Sequence, residues 1–327
     1  MRIFSGIQPT GRKHLGNYIG AIRQYVDMQD AGDAFYCVVD LHSISVAYDP
    51  PTLRENTLDT AAMLLAAGLD PARCTLFVQS HVHEHAEAAW LLGGVAAYGE
   101  LKRMTQFKDK GDGQDSVLVD LFTYPVLMAG DILLYDTDAV PVGDDQRQHL
   151  ELARNIAQRF NSRFGETLKV PEATIPTTGG RVMDLQEPTR KMSTTGGTPQ
   201  GTVLVSDPPD VLRKKIRSAV TDSGREVRRG EGKEGIENLM EILSVLTGCT
   251  AEQIETDYEG VGYGQFKSDV AEAVEATFAP IRERYAELRG DEAQLRAVLT
   301  DGAAAAQAVA SRKLATIKER MGFDLPG

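Results

Sequence analysis

The chain predicts an α/β fold, a doubly wound parallel sheet followed by an all-α helical domain, and three observations carry that prediction. Two continuous apolar runs, residues 34–40 and 75–79, have the unbroken hydrophobicity of strands buried on both faces. Helical patterns alternate with them at the spacing of βαβ units, which close as parallel sheets with helices on both faces. Beyond Gly201 the strands nearly vanish and helical periodicity takes over.

The elements follow in order. A short strand around Ile3 and Phe4 runs into a turn punctuated by Gly6, Pro9 and Gly11. A helix begins near Gly16 and carries Tyr18, Ile22 and Tyr25 at helical spacing. Strand, tight turn and helix together aim backbone N–H groups and a helix dipole at a phosphate. Gln8-Pro9-Thr10-Gly11 and His14-Leu15-Gly16-Asn17 occupy this turn. An imidazole, a glycine and an amide at a helix start suit a polyphosphate pressed against the backbone; they equally suit an ordinary strand-to-helix turn. The GxGxxG fingerprint is absent, which argues against a nicotinamide dehydrogenase although Asp40 closes the second strand.

Asp49 with Pro50 and Pro51 starts the next helix, which runs to Gly68. Helices are expected over 84–93, 98–107 and 120–134, with a charged, glycine-containing loop at 108–115. A short strand at 139–142 and a helix over 144–160 follow. Residues 177–201 are rich in Gly, Thr and Pro, and so long an irregular stretch is either disordered or a functional mobile loop. A brief strand at 202–205 precedes helices at 208–220, 235–248, 250–258, 265–288, 292–299 and 301–321. The expected division is a sheet domain over 1–200 and a helical domain over 201–300. The segment 301–327 packs back on the sheet through Ala303, Ala306, Val309, Leu314 and Ile317.

A chain of 327 residues with 42% hydrophobic and 25% charged content is long enough for two domains and a sizeable core. No run of membrane-spanning length and no signal-peptide pattern is present. Cys37, Cys74 and Cys249 form no paired spacing, so a reducing, cytoplasmic setting is expected. The net charge of −12 excludes a general nucleic-acid binder and leaves one concentrated basic stretch. It holds Arg213, Lys214, Lys215 and Arg217, continuing to Arg225, Arg228 and Arg229, and its plainer reading is a solvated helix face. His81, His83 and His85 alternate and would share one face of an extended segment, but no supporting ligand is spaced with them, so no metal site is predicted. Trp90 reads as a core or subunit-contact residue.

Asp131 lies in the apolar run 126–134, where an inward carboxylate requires donors and an outward one merely faces water. Gly143-Asp144-Asp145-Gln146 precedes a helix with Asp as a natural cap, and Lys191-Met192-Ser193 stands inside the irregular stretch.

Taken in register, these stretches resemble the class I aminoacyl-tRNA synthetases, in the bacterial tryptophanyl form, over nearly the whole length. The opening turn looks like the HIGH-motif region, Met128-Ala-Gly-Asp-Ile132 and Gly143–Gln146 match in order, and Lys191-Met192-Ser193 is similar to the KMSKS loop. The resemblance implies a Rossmann-like catalytic domain, an anticodon-reading helical domain and a homodimer. It implies that L-tryptophan is activated with ATP and Mg²⁺ to tryptophanyl-adenylate, then transferred to the 3′ end of tRNA(Trp). It assigns catalysis to Lys191, Ser193, His14, Asn17 and Lys110. ATP binding falls to Gln8, Pro9, Thr10, Gly16, Asn17, Gly143, Asp144, Asp145, Val182, Lys191, Met192, Ser193, Thr194 and Thr195. Asp131 would accept the indole N–H, with Phe4, Met128, Val140 and Val142 as walls, and Tyr124 and Gln146 on the α-amino group. Arg213, Lys214, Lys215 and Arg217 become tRNA contacts. The pattern departs at Thr194, where the motif's second lysine is missing; Lys110, Arg190 or Mg²⁺ would have to compensate. An auxiliary, weakly active tryptophan-binding paralogue is therefore the alternative, and a tyrosyl-tRNA synthetase shares the architecture.

Overall fold

Side-chain alternation along five short strands decides the layers. The computed structural model describes residues 1–105, 107, 118–141, 146–174, 181–194 and 196–323. Strands β1 (Arg2–Ile7), β2 (Asp33–Val38), β3 (Thr75–Val78), β4 (Ala139–Pro141) and β5 (Glu172–Thr174) form one sheet in the order β3-β2-β1-β4-β5. Every pairing is parallel, with Phe4 beside Phe35 and Phe35 beside Thr75. After β3 the chain crosses to the other side of β1, so the order reverses between β1 and β4. Ligands of open parallel sheets lie at such a reversal, beyond the carboxyl ends of the strands.

Ile3, Tyr36, Val38, Leu76, Val78 and Ala139 belong to one apolar cluster. Phe4, Phe35, Cys37, Phe77 and Val140 belong to another. Residues of successive parity thus face opposite layers, as the two-residue pleat requires. The opening helix is built from α1 (Leu15–Asn17), a wide π-helical turn over Tyr18–Ile22, and α2 (Arg23–Met28). It shares the first layer with α3 (Pro50–Ala66), whose cap is Asp49 accepting from Thr52 N–H at 3.0 Å. The second layer holds α4 (Glu84–Gly93), α6 (Val119–Leu133) and α7 (Arg147–Phe164); the short α5 (Tyr98–Lys102) adds Leu101. The helical region comprises α8 (Pro209–Arg217), α9 (Glu234–Thr247), α10 (Ala251–Asp257) and α11 (Tyr263–Gly290), which join the first layer. The terminal helix α12 (Glu292–Met321) puts Leu295 and Leu299 into the first cluster and Ala303, Ala306 and Ala310 into the second. It therefore crosses the free edge of the sheet at β3.

Three expectations change, and one strand was not foreseen. The two helices expected at 292–299 and 301–321 are one continuous α12. The strand expected at 202–205 is a single bridge, because Val203 O accepts from Leu15 N–H and Val205 N–H donates to Lys13 O instead of to the sheet. The helix expected over 98–107 breaks after Lys102, where Gln148 Oε1 takes the Thr105 N–H at 2.9 Å. Strand β5, three residues long, was too short to announce itself beside Pro171.

Candidate active site

The opening turn is held from inside. Gly11 sits at φ +55°, a conformation that disfavours a side chain, and Lys13 folds beneath the turn with its Nζ donating to Gln8 O at 2.9 Å. Burial lowers that ammonium to about 8, with Asp59 pulling the other way. His14 then caps α1 reciprocally: its Nδ1 accepts from Asn17 N–H at 3.3 Å, and its own N–H donates to Asn17 Oδ1 at 3.1 Å. An imidazole accepting at Nδ1 carries its proton on Nε2. Burial, then the Lys13 and Lys191 charges, push His14 down to about 4. His14 and Asn17 thus keep neutral donors, the Nε2–H and the amide NH₂, for an anion at a helix N-terminus.

Lys191 arrives opposite this turn on a loop that is folded back on itself. Asp184, fully buried, accepts from the backbone N–H groups of Gln186 and Thr198 and from Thr198 Oγ1, at 2.8–3.0 Å. Met192 is buried and its N–H donates to Val182 O at 3.1 Å, while Lys191 pairs with Met183 in an isolated bridge and keeps its side chain exposed. Ser193 O accepts from Thr202 Oγ1 at 3.0 Å. The described part of the 177–201 stretch is therefore a folded, hairpin-like loop, with Lys191 exposed where the returning arm pairs with Met183. Thr194 Oγ1 reaches the other side, 3.4 Å from where a Cβ on Gly11 would stand. Arg190, a candidate to replace the missing lysine, is engaged with Glu187 at 3.3 Å.

Asp131 faces inward, at 1% exposure, so the water-facing reading is overturned. Three side chains donate to it: Gln79 Nε2 at 2.7 Å and His85 Nδ1 at 2.6 Å to Oδ1, and His42 Nε2 at 2.8 Å to Oδ2. Burial alone would raise this carboxyl, but the hydrogen bonds and electrostatic pull of His42 and His85 outweigh it and hold it below the usual carboxylate range. Phe4, Val140 and Met128 belong to the apolar cluster around it. Tyr124 stands edge-on to His42 at 6.1 Å between ring centres, and its hydroxyl bonds to His149 Nε2 at 2.8 Å. Gln146 opens α7 as its cap residue.

His42 and Gln79 escaped the sequence reading, and His85 entered it only as one of the alternating histidines. Gln79 and His42 follow the carboxyl ends of β3 and β2, the very positions the parallel-sheet rule favours. The alternating histidines do not share a face, because 79–81 forms a 3₁₀ turn and α4 starts at Glu84. His85 turns inward to Asp131, while His83 stays largely exposed. Among the described residues no group of three or more His, Cys, Asp or Glu side chains could hold a metal. Lys215 is not part of the basic surface: it is buried, with Nζ donating to Asp207 and to Thr202 O, both at 2.8 Å. Arg213, Lys214 and Arg217 line a surface groove with Asp210 and Ser218. Trp90 is no core residue, being 85% exposed. Lys110, Val142, Gly143, Asp144, Asp145 and Thr195 lie outside the described residues.

Comparison with known proteins agrees along the whole chain. It is 51% identical over 325 residues to the tryptophan–tRNA ligase of Caldanaerobacter subterraneus subsp. tengcongensis, covering 99% of both chains. Its fold matches the crystal structure of tryptophanyl-tRNA synthetase from Mycoplasma pneumoniae with a TM-score of 0.91 and 37% identity, covering 98% and 97% of the two chains. The Campylobacter jejuni tryptophanyl-tRNA synthetase, solved with ADP and tryptophan, matches with a TM-score of 0.84 and 37% identity, covering 98% of this chain and 100% of that one. The model of the tRNA synthetases class I (W and Y) matches residues 1–279. With a family model matched over residues 1–279 and a relative 51% identical along nearly the full length, the chain belongs to the class I tRNA synthetases of the tryptophan and tyrosine group.

Proposed function

We propose that this chain is an ATP-dependent tryptophan–tRNA ligase. It activates L-tryptophan to tryptophanyl-adenylate with release of pyrophosphate, then transfers the aminoacyl group to the 3′ end of tRNA(Trp). The observation that carries this reading is Asp131, a buried carboxylate held ionised among apolar side chains. Indole offers one N–H donor and no acceptor, so an acceptor-only partner suits it. A phenyl ring in its place would strand the carboxylate, and sites of this kind discriminate by ~10⁴ or more. Phe4, Met128, Val140 and Val142 wall the ring, and Tyr124 and Gln146 take the α-amino group.

In the first step a tryptophan carboxylate oxygen attacks the α-phosphorus and the bond to pyrophosphate breaks. Positioning and cations against the spreading charge do most of this work. Lys191 and Ser193 face the phosphates from one side, and the neutral donors of His14 and Asn17 from the other. Gln8, Pro9, Thr10, Gly16, Val182, Met192 and Thr194 complete the nucleotide's surroundings, with Lys110, Gly143, Asp144, Asp145 and Thr195. Mg²⁺ bound with the nucleotide would neutralise phosphate charge.

The helical segment 201–300 reads the anticodon, with Arg213, Lys214 and Arg217 on the tRNA side. The chain works as a homodimer in a reducing, cytoplasmic compartment, its three cysteines unpaired. Among the described residues, no helix is long and apolar enough to cross a membrane.

Pyrophosphate exchange with tryptophan, tyrosine and phenylalanine tests the reading. Exchange should depend on tryptophan alone, and Asp131→Ala should lose at least ~10²-fold in kcat/KM, the scale of one buried charged partner left unmatched. Exchange supported by tyrosine, or undiminished selectivity in Asp131→Ala, refutes it.

A further inference from the structure

Behind Asp131 stands a relay that the reaction itself does not require. Tyr135 lies one helical turn beyond Asp131 and is fully buried. Its ring stacks on Phe4 at 5.3 Å and packs against Phe35 at 4.8 Å and Phe77 at 5.9 Å. Among the described residues its hydroxyl bonds to His85 Nε2 alone, at 2.8 Å. A buried hydroxyl without an acceptor is costly, so the phenol donates to Nε2. That donation places the imidazole proton on Nδ1, which points at Asp131 Oδ1 from 2.6 Å. The opposite tautomer would set a nitrogen lone pair against a carboxylate oxygen. Gln79 is fixed by the same logic: its Oε1 accepts from Leu41 N–H at 3.1 Å, so its NH₂ must face the carboxylate.

We propose that His85 and Tyr135 are specificity-positioning residues: they fix Asp131 as an acceptor that has room for one more donor, and so make it read a single indole N–H. A carboxylate offers about four lone-pair sites. Gln79 and His85 take two on Oδ1, and His42 takes one on Oδ2. The fourth belongs to Oδ2. Because Tyr135 also stacks on Phe4, the relay ties the acceptor's direction to the apolar wall of the same pocket. The inference rests on the assignment of Asp131 to the indole.

The test compares L-tryptophan with 3-(benzothien-3-yl)alanine, in which sulfur replaces the indole N–H, in pyrophosphate exchange. The ratio of the two kcat/KM values reads the N–H contact and cancels general pocket effects. Tyr135→Phe and His85→Leu should each lower that ratio about 10-fold, through KM for tryptophan, with KM for ATP unchanged. His85→Asn, whose amide nitrogen can stand where Nδ1 stood, should restore most of it. An unchanged ratio in both Tyr135→Phe and His85→Leu overturns the relay, as does loss of ATP binding in step with the ratio, which marks a merely structural role. Asp131→Asn separates the two levels. If it collapses the ratio while the relay variants do not, only the relay fails; if it too leaves the ratio intact, the indole assignment itself fails.

Discussion

A histidine whose Nδ1 caps its own helix cannot take a second proton there without breaking the cap. His14 is in that position, and burial beside Lys13 and Lys191 lowers it from 6.5 to about 4. Between pH 6.5 and 4 the unfolded chain binds a proton that folded His14 refuses, so stability falls as pH falls through this window. Above 6.5 both states are neutral and the group contributes no slope. At 1.36 kcal/mol per unit the full difference is about 3 kcal/mol. Urea unfolding at pH 7 and pH 4.5 should therefore show a steeper acid loss for the wild type than for His14→Gln, and the His14 ring signals should titrate near 4 by NMR. A midpoint in the ordinary histidine range would mean that the ring is neither buried nor a cap. Under the proposed function, the opening turn would meet phosphate with a neutral donor and leave the cationic part to Lys191.

At the scale of elements, the terminal helix decides how the sheet ends. An edge strand presents unpaired backbone groups that must be covered. Here α12 crosses β3, and it can do so closely because residue 302 has no side chain: a Cβ there would overlap the Leu76 carbonyl oxygen. Gly302→Ala should destabilise the chain by about 1–3 kcal/mol through overpacking, although alanine is the better helix former. Thermal unfolding checks this; a raised Tm would place α12 farther from β3. The sequence reading broke this helix at residue 300, where the structure runs on without interruption. The sheet was legible because its strands are buried on both faces and read as unbroken apolar runs. The opening strand, turn and helix were legible because they are local, a handful of adjacent residues, whereas the 177–201 stretch, expected as disordered or mobile, is folded where it is described. The Asp131 surroundings were not legible, for Gln79, His85 and His42 come from 52, 46 and 89 residues away. One signal was available: Tyr124, Met128, Asp131 and Tyr135 recur at helical spacing, marking a single stripe. Lys215 misled because charge pattern alone does not say which lysine of a basic helix turns inward to Asp207.

For the whole molecule, large apolar side chains are left exposed around α4, α5 and the start of α6. Trp90, Tyr98, Leu118 and Val119 stand 85%, 68%, 54% and 77% exposed on these neighbouring elements. Large apolar side chains left in water mark interfaces more often than ornament. In the homodimer proposed above they would be covered, and a stable pairing requires roughly 1,000 Å² or more of buried surface. The chain contains one tryptophan, so its fluorescence reports this event without labelling. In the absence of added amino acid, emission should be blue-shifted at high protein concentration and move to the red on dilution. Sedimentation velocity should show the dimer dissociating over the same range. A two-fold interface repeats every substitution, so Trp90→Asp buries two unpaired carboxylates and should leave a monomer at all accessible concentrations. Tryptophan-dependent pyrophosphate exchange by that monomer then separates two possibilities. Retained exchange shows that each subunit's pocket is complete by itself, and loss of exchange shows that the α4–α6 packing around Asp131 depends on the partner. A wild type that sediments as a monomer with concentration-independent emission rules out this surface as the dimer contact.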